Sequence, residues 1–303
     1  MMTPTDVFKL VFLAALWGCS FIFLRIAVPE IGPLMTALLR VSLAGVAMLA
    51  YARLIRVPMQ WRRNLRPYFL VAVFAAVIPF SCFSYASQYL PAAYSAVLNS
   101  TSPLFGALFS VLWLSERLSV QKLAGLALGI AGVAVLVGAG ALVLDARVLL
   151  AAAACLFAAA CYAVSSIIVR KTGYSADGHH IHPIGMATGS MVLGALVMLP
   201  LLPFVLPPVW PSTRTILSVT SLALLSSGVA QALFIPLIVR IGPTRAMSVA
   251  FLIPLFSMLW GYLFLGEPVG MATLAGAAIV LMAMGLVLSA SQAVPEDALK
   301  VET

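Results

Sequence analysis

Few side chains in this chain could do chemistry, and most of them stand inside apolar runs. Ser81, Tyr85 and Gln88 are spaced four and three residues apart, which puts them on one face of a helix. Asn99 with Ser102, and Ser227 with Gln231, form pairs of the same kind. Trp17 and Ser20 share an early apolar run, and Tyr162 with Ser165 or Ser166 a later one. Amides, hydroxyls and aromatic rings in such a setting bind a solute and do not transform it. There is no HExxH, no GxxxxGK[ST] loop and no histidine within an apolar run, so zinc-assisted hydrolysis and ATP-driven pumping are not expected. A serine without a His or Lys partner is not activated. His179-His180-Ile181-His182 has no Cys or carboxylate companion and reads as a solvated loop. No metal, no cofactor and no enzymatic activity are expected.

Arg40 is the one charge well inside an apolar run. At the centre of a bilayer it would cost about 2.5–3.5 kcal/mol on the insertion scale. Two readings are open: a structural ion pair or carbonyl clamp, with Glu30 as a candidate partner, and a contact with the carboxylate of a substrate. All nine Asp and Glu fall in loops, termini or helix ends, so no carboxylate stands ready as a mid-membrane proton carrier. The four cysteines lie in apolar runs without CxxC spacing and read as small core residues.

These groups need elements to position them. Of 303 residues, 63% are hydrophobic and only 9% charged, against about 25% charged in a soluble domain. The apolar residues fall into runs of about 20, the length a helix needs to cross a hydrocarbon core. Ten spans are predicted, at about 8–28, 33–53, 67–88, 92–114, 120–138, 147–169, 183–204, 214–238, 244–265 and 270–290. Pro33, Pro67, Pro91, Pro183 and Pro243 mark helix starts. Pro79, Pro103, Pro236 and Pro254 fall inside spans, where each removes a backbone bond. The first run is long for a signal peptide and is expected to be retained.

With the N-terminus in the cytoplasm, 13 of the 17 Lys and Arg lie on the cytoplasmic side, and only Arg25, Arg147 and Arg214 face out. The net charge of +8 is therefore a topology signal and not the footprint of a nucleic-acid partner. Both termini are expected in the cytoplasm and the protein in the plasma (inner) membrane. Small-residue faces such as Gly125 to Gly129 suit packing within a monomer or between two copies.

Residues 103–127, PLFGALFSVLWLSERLSVQKLAGLA, match residues 254–278, PLFSMLWGYLFLGEPVGMATLAGAA, at 11 of 25 positions with an offset of 151. Pro103/Pro254, Glu116/Glu267 and Gly125/Gly276 are shared. The expected fold class is therefore all-α integral membrane, with ten transmembrane helices as two inverted five-helix repeats, residues 1–144 and 145–290. Residues 291–303 would form a disordered cytoplasmic tail. An odd number of spans per repeat inverts the second copy, an arrangement that secondary transporters share. Interrupted helices at matching positions mark the binding region, so Pro103 and Pro254 are the candidate hinges. The candidate cavity residues are Trp17, Ser20, Arg40, Ser81, Tyr85, Gln88, Asn99, Ser102, Tyr162, Ser165 and Gln231. Each could instead serve interhelical hydrogen bonding or aromatic packing.

On Trp17-Gly18-x-Ser20-Phe21, Arg40, Pro103 with Ser115-Glu116-Arg117, Gly125, Gly129, Gly132, Pro254 and Gly266-Glu267-Pro268, the chain resembles the ten-helix EamA family of the drug/metabolite transporter superfamily. The resemblance covers nearly the whole chain. It implies a secondary transporter that exports amino acids, other metabolites or toxic compounds by alternating access, aromatic or amphipathic molecules among them. It also implies a central cavity lined by helices 1–4 and 6–9. The expected partners are a small-molecule substrate and the lipid bilayer. The rival expectation is a membrane sensor that binds the same ligand without flux.

Overall fold

The computed structural model describes residues 3–114, 119–138, 145–172, 181–241 and 249–292. Every regular element among them is helical. Helix α1 covers Pro4–Ile31. It starts ahead of its apolar run because Thr3 and Asp6 form a reciprocal capping box and Pro4 takes the first helical position. Gly32, at φ 77°, turns the chain directly into α2, Pro33–Leu54. Helix α3 spans Trp61–Ala86. Pro67 therefore lies inside α3 and does not open it, because the polar turn Trp61–Arg66 is already helical.

A π-helical turn, Val73–Val77, precedes Pro79 in α3. Pro79 cannot donate to the carbonyl of Ala75 and its ring crowds it, and the wider turn absorbs both effects.

The expected single span over 92–114 is two helices, α4 (Ala92–Asn99) and α5 (Ser102–Leu114). Pro103 would leave the Asn99 carbonyl without a donor, and the Ser102 hydroxyl supplies one at 2.8 Å. Thr101 Oγ1 donates to the Leu98 carbonyl at 2.6 Å and Ser100 Oγ to that of Ala96 at 3.1 Å. The break is thus closed by its own side chains, as a polar gap within hydrocarbon must be.

Helices α6 (Val120–Gly138) and α7 (Ala146–Thr172) follow. Helix α8, Pro183–Val205, tightens to a 3₁₀ turn at Leu199–Leu201, which holds Pro200 and is followed by Pro203. Helix α9 runs Thr213–Ala223, widens to a π turn at Leu224–Val229, and continues as Ala230–Ile241. Helix α10 (Val249–Leu265) runs unbroken through Pro254. The expected pair of interrupted helices is thus broken in one half only. The carbonyl that Pro254 frees, on Ala250, accepts a long 3.5 Å bond from Ser100 Oγ in the break of the other half. Helix α11, Met271–Gln292, ends the described chain.

Six of these helices, Pro4–Ile31, Pro33–Leu54, Trp61–Ala86, Ala146–Val169, Pro183–Val205 and Thr213–Phe234, are long and apolar enough to cross a membrane. Val120–Leu136, Val249–Leu265 and Met271–Val287 are shorter apolar helices. Large apolar side chains such as Leu54, Ile130, Phe204 and Trp210 stand outward and exposed. In water such a surface would aggregate; against lipid it is the proper one.

Helix α1 packs on α10 and α9, α2 on α8 and α9, α3 on α7 and α8, α4 on α10, α5 on α7, and α6 on α11. Exchanging each helix for its counterpart 151 residues away maps this set of pairings onto itself. The two π turns, beginning at Val73 and Leu224, also differ by 151 residues.

Candidate functional site

Arg40 projects from the middle of α2 and is 8% exposed. Its guanidinium carbon lies 3.7 Å from the centroid of the Phe80 ring on α3, and its Nε donates to Ser227 Oγ at 3.1 Å. Ser227 belongs to the π turn of α9. A desolvated cation–π contact is worth about 2 kcal/mol and a hydrogen bond from a charged donor about 1.5–3 kcal/mol. Together they match the cost of holding the charge at depth. The expected partner Glu30 is elsewhere: its carboxylate accepts from the Ser212 N–H at 2.6 Å and the Ser212 hydroxyl at 2.8 Å. Glu30 caps the start of α9 and does not pair with Arg40.

Aromatic pairs continue from the Arg40 contact into α1, α3, α7 and α9. Tyr162 on α7 lies within electrostatic reach of the guanidinium and stacks on Phe83 at 6.2 Å. Phe83 meets Phe21 edge-on at 5.7 Å. Trp17 meets Phe234 edge-on at 4.9 Å, and its Nε1–H donates to the Ser226 carbonyl at 3.1 Å. Ser226 Oγ donates back to the Leu16 carbonyl at 2.8 Å. The π turn of α9 therefore ties α1 with one serine and faces Arg40 with the next. Trp17→Phe removes only the Nε1 donor. It is expected to cost about 1 kcal/mol, read as a fall of roughly 2–4 °C in the melting midpoint of the purified protein. An unchanged midpoint would mean that the bond does not hold α1 to α9.

The other expected cavity residues divide. Ser20 Oγ donates to the Trp17 carbonyl at 2.6 Å, Ser81 Oγ to that of Val77 at 2.7 Å, and Ser102 Oγ to that of Asn99. Their protons are spent locally, within one helix for Ser20 and Ser81 and across the α4/α5 break for Ser102, as such hydroxyls often are. Tyr85 tilts against Tyr89 at 5.4 Å. Gln88 falls in the turn after α3, exposed, with its amide 3.3 Å from the Tyr85 carbonyl. Asn99 ends α4, and its Oδ1 is sealed without a hydrogen-bond partner among the described residues. Ser165 is buried on α7, and Gln231 is half-buried on α9. Pro103 lies in the first turn of α5, and Pro254 lies within α10. Of these residues, Arg40 and Tyr162 come together, with Ser227, Phe80 and Phe83 beside them.

One end of the bundle is tied by charge. Arg25 Nε donates to Glu267 Oε1 at 2.9 Å, and Arg25 Nη1 to the Ser87 carbonyl at 2.7 Å. Glu267 Oε2 accepts from the Ala92 N–H at 2.8 Å, placing an anion at the N-terminus of α4. Four segments, the ends of α1, α3 and α10 and the start of α4, are thereby joined. Glu116, the sequence counterpart of Glu267, lies outside the described residues, as do Ser115, Arg117, His179 and His180. A separate cavity of about 210 Å³ lies beside the α4/α5 break, among Leu104, Phe105, Leu126, Gly129, Val133 and Leu156. It is apolar and shares no residue with the Arg40 cluster.

The model of the EamA-like transporter family matches this chain twice, over residues 7–138 and 148–289. YvbV, an uncharacterized transporter of Bacillus subtilis, is 28% identical over 94% of this chain and 92% of its own length. A WAT1-related chloroplastic protein of Arabidopsis thaliana is 27% identical over 89% of this chain and 66% of its own length. A probable terminal-alkyne amino-acid exporter of Streptantibioticus cattleyicolor is 24% identical, over 89% of both chains. A solved crystal structure shares the fold, with a TM-score of 0.66 over 93% of this chain and 96% of that one, at 19% identity.

Proposed function

The chain belongs to the EamA-like transporter family and is a multi-pass membrane transporter; we propose that it exports small metabolites, amino acids and aromatic or amphipathic molecules among them, by alternating access. Its role is that of a carrier and not of a catalyst. Ten spans form two inverted repeats, residues 1–144 and 145–290, with both termini cytoplasmic in the plasma membrane.

The observation that carries the proposal is the position of the polar cluster. Arg40 and Phe80 come from the first half, and Ser227 and Tyr162 from the second. A site built across the junction of two similar halves is bound by both, and rocking one half against the other changes which side it faces. Support for the repeat comes from the two family matches, from the pairing of helices that survives exchange of the halves, and from the π turns at the same offset. The amino-acid exporter among the relatives supports the substrate class. Arg25 and Glu267 close one end of the path in this conformation, and the α4/α5 break at Pro103 and the proline of α10 are the points of bending.

Purified protein reconstituted in liposomes is expected to show saturable counterflow of at least one member of a panel of amino acids and aromatic metabolites. If no member moves, while thermal shift shows that ligands bind, the molecule is a sensor and the transport reading is wrong.

A further inference from the structure

We infer that Arg40 is the docking point for a carboxylate on the transported molecule, with the Tyr162 hydroxyl as a second donor. The inference rests on the transport reading above and adds the charge of the substrate to it.

The case begins with unspent donors. Arg40 is 8% exposed, yet among the described residues only its Nε has an acceptor, Ser227 Oγ. Neither Nη1 nor Nη2 makes a hydrogen bond among the described residues, and the Tyr162 hydroxyl makes none there either. These atoms are not among the sealed polar atoms, which include Ser84 Oγ, Asn99 Oδ1 and Ser257 Oγ. They therefore keep some contact with space outside the protein atoms.

The carboxylates of the described residues are committed elsewhere. Among the described residues, Asp6 caps α1, Glu30 holds Ser212, Asp145 accepts from the Val148 N–H at 2.8 Å, and Glu267 holds Arg25. A buried cation with no counter-ion of its own in the described protein is an incomplete ion pair.

The shape of the opening selects the partner. Phe80 covers one face of the guanidinium and Ser227 holds Nε. What remains free is the edge carrying the two terminal nitrogens. That edge is a planar fork, and a carboxylate matches it with two parallel hydrogen bonds. The Tyr162 ring beside the guanidinium and the Phe83 ring stacked on it suit a carboxylate attached to an apolar or aromatic body. An amino acid and a simple aryl-alkanoic acid both meet this description.

The test uses matched acids and amides on the full-length protein in lipid nanodiscs. Binding of phenylalanine and 3-phenylpropionate is compared with that of phenylalaninamide and 3-phenylpropionamide by calorimetry, and flux of the same four compounds is measured in liposomes. At least one acid is expected to bind about tenfold or more tightly than its amide. Arg40→Gln should abolish that preference and Arg40→Lys should keep part of it. Equal binding of acid and amide by the unaltered protein overturns the inference without any variant, so misfolding of Arg40→Gln cannot hide the answer. A preference that survives in Arg40→Gln overturns it too, as does absence of binding by both acids up to millimolar concentration. An acid that binds selectively but does not cross upholds the docking point and removes the transport reading. Flux without acid preference does the reverse.

Discussion

Glu267→Gln is expected to lower the melting midpoint of the purified protein by roughly 5–10 °C. Glu267 is the meeting point of two unlike partners, the guanidinium of Arg25 and the first N–H of α4. The backbone is shaped to bring it there. Gly266, at φ 64°, ends α10 in the left-handed conformation that glycine tolerates best. The Glu267 N–H then reaches back to the Gly261 carbonyl at 3.1 Å. At Gly261 any Cβ would fall 2.9 Å from Glu267 Oε2, so glycine there makes room for the carboxylate. Removing the charge leaves Arg25 facing a neutral amide. Arg25 is partly exposed, at 31%, so water recovers some of the loss, and about 2–4 kcal/mol is expected instead of the full cost of an orphaned buried charge. Arg25→Met should destabilise by a similar amount. The double variant should be milder than the sum of the two, by about 1 kcal/mol or more. Strict additivity would show that the two side chains act independently and that the knot holds nothing together.

How much of this was legible beforehand differs from residue to residue. The existence of the helices was legible, because an apolar run of that length has no other stable form in lipid. Pro103 and Pro254 were legible as points of weakness, since a missing N–H is a property of the residue itself. Their unequal outcome was not. Whether the freed carbonyl finds a hydroxyl within its own break, as Asn99 does, or across an interface, as Ala250 does, depends on a neighbour far away in sequence. The π turns were hidden for a related reason: Leu224–Val229 has no composition that distinguishes it from an ordinary helical turn. Yet it decides that Ser227, and not Gln231, faces Arg40. The spacing of Ser81, Tyr85 and Gln88 was correct for one helical face, but the helix stops at Ala86, so the last of the three leaves that face. Arg25 and Glu267, 242 residues apart, were visible as charges at helix ends. Their meeting follows only from the packing of α1 on α10. Phe80 was one phenylalanine among 16, and only the position of Arg40 singles it out.

Gly276→Ala is expected to cost about 1–3 kcal/mol, a large loss for one methyl group. Helices α6 and α11 run antiparallel and touch through glycine at both ends of their seam. A Cβ at Gly276 would lie 2.8 Å from the Leu136 Cα and 2.9 Å from its N. A Cβ at Gly125 would meet the Val287 side chain at 2.7 Å and the Ala283 carbonyl at 3.0 Å. Leu136 and Val287 stand at the same 151-residue offset as Gly125 and Gly276, so one contact made twice closes both ends. At Gly276 the obstacle is backbone, which no rotamer change can move. The helices must separate, and the dispersion contacts along the seam weaken together. Gly132→Ala, which meets the Val280 N at 2.9 Å, should behave alike. Gly106→Ala is the control: nothing lies within 4 Å of its Cβ, and alanine is the better helix former, so its melting midpoint should hold or rise. Comparison of the three midpoints separates a packed seam from a general intolerance of substitution. Equal midpoints for Gly276→Ala and Gly106→Ala would mean that α6 and α11 do not pack at the distance described. The paired contact also links the internal sequence repeat to the packing, because Gly125 against Val287 and Gly276 against Leu136 are the same contact at repeat-equivalent positions.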